Sequence, residues 1–418
     1  MQPRNAPGER PYWGGGRVPP TSERLPPRYR ACFRPAEIDL ESSSPSLSSE
    51  GLSSTPWICL FWEPPIRKNS AAINMRLPQT KTQLAFFTLA LLLGPMATAN
   101  ACPQDLLDSL EDGAYMRPDE EPPIGVLGAA MAAAGKMTIA WTWAGTNESG
   151  PRIGNKEATT DEVTDQGYTF AATSARIEEH RFTFHLELDE GLDVELTLPY
   201  CDARADVLGP LGKTRMRTNG LGDVEIGALW NSALLEGYSH SYGLGLGLPT
   251  GSTNSTGINP GGGDGRLPYS LQPGSGAWSL IPRAHWLGQT EDWSWGYGGQ
   301  YVLRIREGGT SWNKGNELEL GAWAAHRINR DMSISLRLEG HHSRGISGSE
   351  STIDPLISNL HDPDNAGGTL FRLFGGFNFV GTSGNRFAAE VGVPLYDDVD
   401  GVQLGSTITY GLGWRYSF

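Results

Sequence analysis

Charged residues of both signs recur at alternate positions in several segments of this 418-residue chain. The clearest set, spread over three successive segments, is Arg304, Arg306, Glu317, Glu319 and Arg337. Alternate residues of a β-strand lie on one face of the sheet, so these side chains would share one surface. Opposite charges on such a surface form a salt-bridge lattice, and along a pore they orient a polar or anionic solute.

The same alternation assigns further charged residues to that surface, which faces inward if the sheet closes. The inward candidates are Arg181, His185, Glu187, Glu195, Arg304, Arg306, Glu317, Glu319, Arg337, Glu339, Arg372, Glu390 and Arg415, and the pattern extends to Glu225, Arg283, His285 and His341. Two uses stay open: a lattice that fills and stiffens a narrow barrel, or a channel with opposed basic and acidic rows.

The histidines and serines of the chain do not form a recognisable catalytic or metal site. His341 and His342 are adjacent, so on a regular strand they point to opposite faces and cannot bind one ion together. His185 and His285 have no cysteine or carboxylate at metal-ligand spacing. A hydrolase needs a nucleophile beside a histidine, and Ser343 near His341 has no nucleophile motif around it. We therefore expect neither an enzyme nor a bound metal or cofactor.

Long alternating segments would carry these residues. About twelve of them occur between Gly135 and the C-terminus, and in each one large apolar residues alternate with polar or small ones. Long connections are expected near residues 145–175, 204–220, 250–276 and 344–367, with tight turns between them. A soluble sandwich would have comparable loops at both ends. The pattern predicts an all-β fold, a transmembrane up-and-down antiparallel β-barrel of about 12 strands.

The N-terminal third of the chain predicts export. Within residues 75–101, the basic residues Arg76 and Lys81 precede the apolar run 84–93, and Ala99-Asn100-Ala101 follows as a cleavage site. This order is typical of a secretory signal peptide.

The signal peptide divides the chain into four predicted parts. Residues 1–74 form an upstream extension that we expect to be disordered and to arise from a misplaced start site. Residues 75–101 are the signal peptide, residues 102–134 a periplasmic tail, and residues 135–418 the barrel.

The composition excludes two other classes of protein. No stretch of 18 consecutive apolar residues occurs, so the chain is not a helical membrane protein with several spans. The first 101 residues hold 11 Lys and Arg against 7 Asp and Glu, which leaves a net charge of −18 on the remainder. We expect no nucleic-acid partner for such an acidic chain.

Two cysteines, Cys102 and Cys201, remain in the predicted mature chain. Cys102 directly follows the predicted cleavage site, so its lipidation stays an open question. A Cys102–Cys201 disulfide requires a tail threaded up the lumen, because an apolar band about 25 Å tall separates the two ends.

Several motifs resemble one family of outer-membrane barrels. They are GLGDVEIGALW (220–230), YGLGLGLPTGSTNSTG (242–257), LPYSLQPGSGAWSLIPRAHWLGQTEDWSWGYGGQ (267–300) and VGVPLYDDVDGVQLGSTITYGLGWRYSF (391–418). Together they resemble the meta-pathway phenol-degradation proteins, often called simply transporters, and the likeness covers most of residues 125–418.

The resemblance implies a Gram-negative outer-membrane channel that passes small organic solutes by passive or facilitated diffusion. It also implies that the terminal Phe418, with Tyr410, Trp414 and Tyr416, forms the signal read by the barrel-assembly machinery. The expected partners are outer-membrane lipid, that machinery and a small solute, while the oligomeric state is not predicted. An outer-membrane hydrolase and a closed structural or adhesive barrel remain the alternatives.

Overall fold

The computed structural model describes residues 117–128, 137–189, 191–235, 237–260, 262–306, 310–381 and 385–418. The side chains of Asp189, Arg306 and residues 232–235 lie outside the described part of the chain. The predictions for residues 1–74, for the signal peptide 75–101 and for Cys102 also fall outside it.

Antiparallel strands dominate the described residues. The strands are β1 (Met137–Gly154), β2 (Lys156–Glu157), β3 (Ala171–Asp189), β4 (Leu192–Gly209), β5 (Gly212–Leu221), β6 (Val224–Leu235), β7 (Tyr238–Leu248), β8 (Thr256–Ile258), β9 (Asp264–Arg266), β10 (Ala277–Gln289), β11 (Trp293–Arg306), β12 (Trp312–Asn313), β13 (Glu317–Arg327), β14 (Met332–Ser343), β15 (Ser347–Gly348), β16 (Gly368–Val380) and β17 (Asn385–Ser417). A short helix, α1 (Thr160–Thr164), and a 3₁₀ turn, Tyr269–Leu271, lie in the loops. None of the helical segments described has the length and apolar character needed to cross a bilayer.

The main sheet closes on itself. Its strands follow the order β17-β16-β14-β13-β11-β10-β7-β6-β4-β3-β1, and β17 pairs again with β1. Along this seam Ile139 faces Tyr416 and Trp141 faces Trp414. The backbone N–H of Met137 donates to the Phe418 carbonyl oxygen at 3.1 Å. The closed antiparallel barrel predicted from the alternation is therefore confirmed.

β17 contributes two crossings, because it folds back on itself near Gly401, where φ is +70°. Trp414 Nε1 donates to Asn385 Oδ1 at 3.0 Å. In a straight strand these two residues would be about 95 Å apart at roughly 3.3 Å per residue. The first half of β17 pairs with β16 and the second half with β1. Eleven strand elements thus form twelve crossings.

The outer surface of the barrel is apolar, as a lipid-facing sheet requires. Outward side chains such as Phe182, Leu244 and Leu412 are 43%, 47% and 43% exposed. The inner positions between them are polar or small, for example the buried Ser279 and Thr138. The barrel thus inverts the arrangement of a soluble protein, with its apolar face turned toward lipid.

Several strands extend beyond the apolar band, where the sequence predicted long loops. The segments 145–175 and 204–220 were expected to be connections, but β1 continues to Gly154, β3 begins at Ala171, and β4 and β5 form a hairpin. The prediction was wrong there because the outward face becomes polar above the apolar band, as at Arg204 and Asp206, while apolar residues such as Val207 and Met216 face inward against the loops. The ladder of backbone hydrogen bonds continues while the alternating apolar signal ends.

Loops pack against the inner face of the barrel at the long-loop end. Phe170, Leu267 and Leu271 lie against the inward-facing residues Ala203 and Val207 of β4. The backbone N–H of Phe170 donates to the carbonyl oxygen of Ile357 at 2.9 Å, which ties two loops together. We call this group of packed loops the cap.

A buried polar network holds the cap together around His361, which has no exposed surface. Its Nδ1 lies 2.7 Å from Ser358 Oγ and its Nε2 lies 3.1 Å from Asn259 Oδ1. The Asn259 oxygen can only accept, so Nε2 carries the proton and Nδ1 accepts from the serine hydroxyl. Burial lowers the pKa of His361 to about 4. The imidazole is therefore neutral at pH 7.

Acidification should loosen the cap through His361. A histidine of pKa about 4 in the folded cap takes up its proton more readily when the cap opens, so this contribution is complete above pH 6.5 and is lost as the pH falls toward 4. The expected loss between pH 7.5 and 4.5 is about 2–3 kcal/mol of local opening free energy. Hydrogen exchange of the Phe170 amide, corrected for intrinsic pH effects, measures it. His361→Asn should flatten this dependence, and an equally steep profile in that variant would show that another group titrates.

Candidate functional site

A deeply buried ion cluster of the lumen centres on Arg337 of β14. This guanidinium pairs with Glu339 on its own strand and with Glu390 on β17, the latter through Nε at 3.3 Å. Arg337 and Glu390 are 3% and 6% exposed. Its Cζ also lies 3.9 Å from the ring centroid of Phe374. Arg372 of β16 pairs with the same Glu339, so two arginines share two carboxylates.

A second cluster crosses the lumen at Arg283 of β10. Its guanidinium pairs with Glu195 of β4 and lies 3.0 Å from Glu225 of β6. Nε also donates to Gln300 Oε1 at 3.2 Å. β10 and β4 are not neighbours in the sheet, because β7 and β6 stand between them. These side chains therefore meet across the interior, and the barrel is narrow at this level.

A third cluster contains the arginine and glutamates first singled out in the sequence. Arg304 Nη1 lies 2.8 Å from Glu317, and His341 Nε2 lies 4.0 Å from the same carboxylate. Glu319 Oε2 accepts from Gln300 at 3.4 Å. Arg337, by contrast, turns away from Glu317 and Glu319 toward Glu339 and Glu390. The side chain of Arg306 lies outside the described residues.

The remaining inward candidates lie toward the short-turn end of the barrel. Arg181 pairs with Glu179 and lies 3.8 Å from Glu225. His185 and Arg415 are buried, and Glu187 stands opposite Asp193 in the ladder. All twelve inward candidates with described side chains thus lie on the inner face, distributed over three clusters and a basal group.

Residues 117–128, expected in a periplasmic tail, lie inside the barrel. The carboxylate of Glu121 is 2.7 Å from Arg415 and 3.6 Å from Arg386. Ser333 Oγ donates to the Pro118 carbonyl oxygen at 3.0 Å. Deeper in the lumen, a β-carbon at Gly125 would overlap both Arg337 and Glu390. We call residues 117–128 the plug.

The plug enters from the short-turn end. Arg117 Nη2 donates to the carbonyl oxygen of Glu291 at 2.9 Å, in the tight turn that joins β10 and β11. Arg117 also pairs at 2.9 Å with Asp119, which has no exposed surface. The plug is therefore fixed at the barrel mouth and projects from there into the charged lumen.

A cavity of about 130 Å³ remains between the plug and the barrel wall. On the plug side its lining is mainly apolar, with Ile124, Val126 and Leu127 beside the single carboxylate residue Glu121. On the wall side it is charged and polar, with Arg181, Thr183, His185, Glu195, Arg283 and Arg415. A small molecule with an apolar body and one polar group would find complementary surfaces in this space.

The sequence analysis missed Arg386 and the acidic plug residues. Arg386 is 5% exposed and faces inward beside Arg415, and its Nη2 donates to the Arg117 carbonyl oxygen at 2.7 Å. A signal existed, because the alternation places both arginines at inward positions near the short-turn end and the acidic stretch PDEEPP (118–123) precedes β1, which begins at Met137. Buried cations require anions nearby, and an acidic segment of the same chain can supply them.

The adjacent histidines His341 and His342 lie apart from the cavity, whose lining includes His185. His341 faces Glu317 inside the barrel, whereas His342 faces outward and lies 3.0 Å from Thr369 Oγ1, so the two adjacent rings point to opposite faces as expected. Cys201 is a free thiol, 3.8 Å from Glu179. The possible disulfide between Cys201 and Cys102 is not described, because Cys102 lies outside the described residues.

Comparison with known proteins gives the chain a family and a fold. Residues 152–412 match the family described as "Putative MetA-pathway of phenol degradation". The barrel is similar to an outer membrane channel from Pseudomonas putida F1, with a TM-score of 0.50 and 13% identity over 72% of this chain and 100% of that one.

A FadL homologue of Pseudomonas aeruginosa is also similar, with a TM-score of 0.34 and 10% identity over 67% of this chain and 89% of that one. No protein of curated function matches the sequence at a significant level.

Removing the central arginine should destabilise the barrel strongly. Arg337→Ala leaves Glu339 and Glu390 buried without their shared cation, which we expect to cost about 3–5 kcal/mol of unfolding free energy. Urea unfolding in lipid vesicles, followed by tryptophan fluorescence, measures the change. Arg330→Ala, in an exposed short turn, is the matched control with little expected effect. A loss below about 1 kcal/mol in the Arg337 variant would contradict a structural role for this cluster.

Proposed function

Because the chain belongs to this MetA-pathway phenol-degradation family and forms an outer-membrane β-barrel, we propose that it is a channel that passes small organic solutes by passive or facilitated diffusion. The observation that carries this proposal is the cavity of about 130 Å³ inside the barrel, between the apolar side of the plug and the charged wall. A barrel that served only as a membrane anchor would not need an internal cavity with one apolar side and one charged side.

The size and lining of the cavity favour small aromatic solutes with one polar group. A buried apolar cavity of about 150 Å³ holds a benzene molecule, so a space of about 130 Å³ fits a molecule of comparable size. Ile124 and Leu127 offer contact to a ring, while Arg283 and Arg181 offer donors to a hydroxyl or carboxylate. The family description points to the same class of compound.

Passage requires the plug to shift, since it fills much of the lumen beside the cavity. Among the described residues, its carboxylates pair with the wall only at Arg386 and Arg415, through Glu121 and, at 3.9 Å, Glu120. Three hydrogen bonds at the mouth, to the Glu291 carbonyl oxygen and from Ser333 and Arg386, complete the polar contacts described between plug and wall. Deeper in the lumen the plug touches the wall through small or apolar residues such as Gly125 and Ile124. A displacement that breaks the Glu121 and mouth contacts opens the short-turn end while the barrel stays closed.

An enzymatic role is the weaker reading. The hydrogen-bonded serine–histidine pair of the described residues, Ser358 and His361, has no exposed surface, so a substrate cannot reach it. In the Arg337 and Arg283 clusters each arginine is paired with two carboxylates. A channel uses such networks directly, because they set the charge of the path.

The final strand supports the proposed assembly signal. Trp414 and Tyr416 stack with 6.4 Å between ring centroids, Tyr416 and Phe418 with 5.6 Å. Phe418 itself is 51% exposed on the lipid-facing side of the seam. Its ring is thus available to another protein before the barrel enters the membrane, which suits recognition by the assembly machinery.

The flux of a small aromatic solute tests the proposed channel, and a substitution in the plug tests how the channel opens. Vesicles containing the protein should take up phenol-sized solutes faster than protein-free vesicles and exclude a disaccharide. Glu121→Ala removes contacts to two arginines, each charge-assisted bond being worth about 1.5–3 kcal/mol. The open population, and with it the flux, should rise about tenfold or more.

The neighbouring Glu120→Ala is the matched control. Glu120 is 53% exposed at its side chain and lies 3.9 Å from Arg386, so its loss should change the flux little. Equal effects of the two variants would argue against a specific plug contact. Absence of flux in the unaltered protein and in both variants would argue for a closed structural barrel.

Assembly should depend on the terminal ring. Phe418→Ala leaves the lumen untouched and exposes no polar group, so the folded barrel should keep its stability within about 0.5 kcal/mol. The amount of heat-modifiable protein in the outer membrane should nevertheless fall severalfold. Leu412→Ala, on the same outward face, is the control. Normal assembly of the Phe418 variant would contradict the proposed signal.

A further inference from the structure

Three arginines stand side by side on the outer face of the barrel near its long-loop end. In the ladder between β3 and β4, Arg176 faces Arg204 directly. In the ladder between β4 and β5, the same Arg204 faces Arg217. We call these three residues the arginine row. Like charges at directly opposite positions repel each other, so the row needs anions nearby.

Carboxylates satisfy the two ends of the row but not its centre. Arg176 pairs with Glu178 at 2.6 Å, and Arg217 pairs with Asp202 at 2.5 Å. Asp206, the acid one step above, is occupied by Arg215 at 2.7 Å and by Lys213 at 3.0 Å. Arg204 is exposed and has no hydrogen bond or ion pair to any residue that the structure describes.

The local charge is opposite to that of the chain as a whole. Five cationic side chains, Arg176, Arg204, Lys213, Arg215 and Arg217, share this patch with three carboxylates, Glu178, Asp202 and Asp206. The patch is therefore positive on a protein whose formal net charge is −14. A concentration of arginine against that background indicates an anionic ligand, because guanidinium groups bind phosphate in a bidentate manner.

The position of the row identifies where such an anion would come from. Arg176 lies on the outward face of β3, in line with Phe182 and Phe184, which are 43% and 37% exposed to lipid. On β4, Arg204 lies four residues beyond Tyr200, about 13 Å along the strand at roughly 3.3 Å per residue. Aromatic residues mark the membrane interface, so the row stands at the level of the outer-leaflet headgroups.

A groove beside the row has room for a headgroup. Its volume is about 380 Å³, and Arg176, Arg204 and Arg215 contribute to its lining together with Asn147 and Thr407. The carboxylates in the lining are Glu148 and Asp206, of which Asp206 is already paired with two cations. Arg176 also lies 5.5 Å from the ring centroid of Tyr410, which fixes its guanidinium at the edge of the lipid-facing surface.

We propose that the arginine row binds a phosphate group of an outer-leaflet glycolipid, with Arg204 as the central ligand between Arg176 and Arg217. The acyl chains of the same lipid would lie on the apolar strip below, along Phe182 and Leu196. This union of a phosphate site with an apolar surface selects a lipid over a free anion. The site is on the outside of the barrel, so it is independent of what passes through the lumen.

Native mass spectrometry of the detergent-purified protein tests this assignment. The probes are diphosphoryl lipid A, lipid A with both phosphates removed, and inorganic phosphate. The unaltered protein should retain diphosphoryl lipid A and bind the dephosphorylated form about tenfold more weakly or worse. Arg204→Gln should lose the same factor for the diphosphoryl form while its heat-dependent gel migration stays unchanged. Arg330→Gln, at the opposite end of the barrel, should bind as the unaltered protein does.

Three outcomes would overturn the proposal. The first is equal retention of the two lipid forms, and the second is unchanged binding by the Arg204 variant. The third is displacement of the lipid by millimolar inorganic phosphate, which would mark a site for a free anion instead.

Discussion

The structure depends on one constraint: inside a bilayer no water is available to pair with backbone amides and carbonyls. Each unpaired group would cost several kcal/mol, so a sheet in lipid must have no free edge. The seam between β1 and the second half of β17 removes the last edge. In the closed cylinder, alternate side chains point to opposite faces, so one set contacts lipid and the other set lines the lumen. The outward-facing Phe182 and the inward-facing pair Thr183 and Thr197 of the same hairpin both result from that single requirement.

Charge balance inside the narrow cylinder is a second consequence. The pairing of Arg283 with Glu195 across the interior shows that little space is left for water to solvate these groups. Each buried cation therefore needs a carboxylate, and near the short-turn end the plug contributes one. Glu121 of the plug pairs with both Arg386 and Arg415. The same electrostatic demand that stabilises the wall thus holds the plug in place, which links closure of the channel to a small number of ion pairs.

The sequence predicted what depends on local periodicity. The strands, their lipid-facing sides and the inward positions with described side chains follow from alternation, whereas the pairing of the last strand with the first follows from closure of the sheet. The partners of each charge do not, because they depend on barrel diameter and stagger: Arg337 was expected near Glu317 and Glu319 but meets Glu339 and Glu390. The plug was not predicted because Pro-rich residues 118–123 carry no period, and only their acidic charge connects them with the buried arginines. The strand extensions at 145–154 and 204–209 were missed because their outward faces are polar, and at 204–209 the apolar residues face inward against the cap.

The central claim is that solutes travel through the lumen beside the plug, and cysteine modification tests it directly. Thr183 lines the cavity, whereas its neighbour Phe182 faces lipid, so Thr183→Cys and Phe182→Cys form a matched pair in a background without Cys102 and Cys201. A charged methanethiosulfonate reagent, added during conductance recording in a planar bilayer, should reduce the current through the Thr183 variant and leave the Phe182 variant unaffected. Unchanged current in the fully modified Thr183 variant would contradict a path through the lumen.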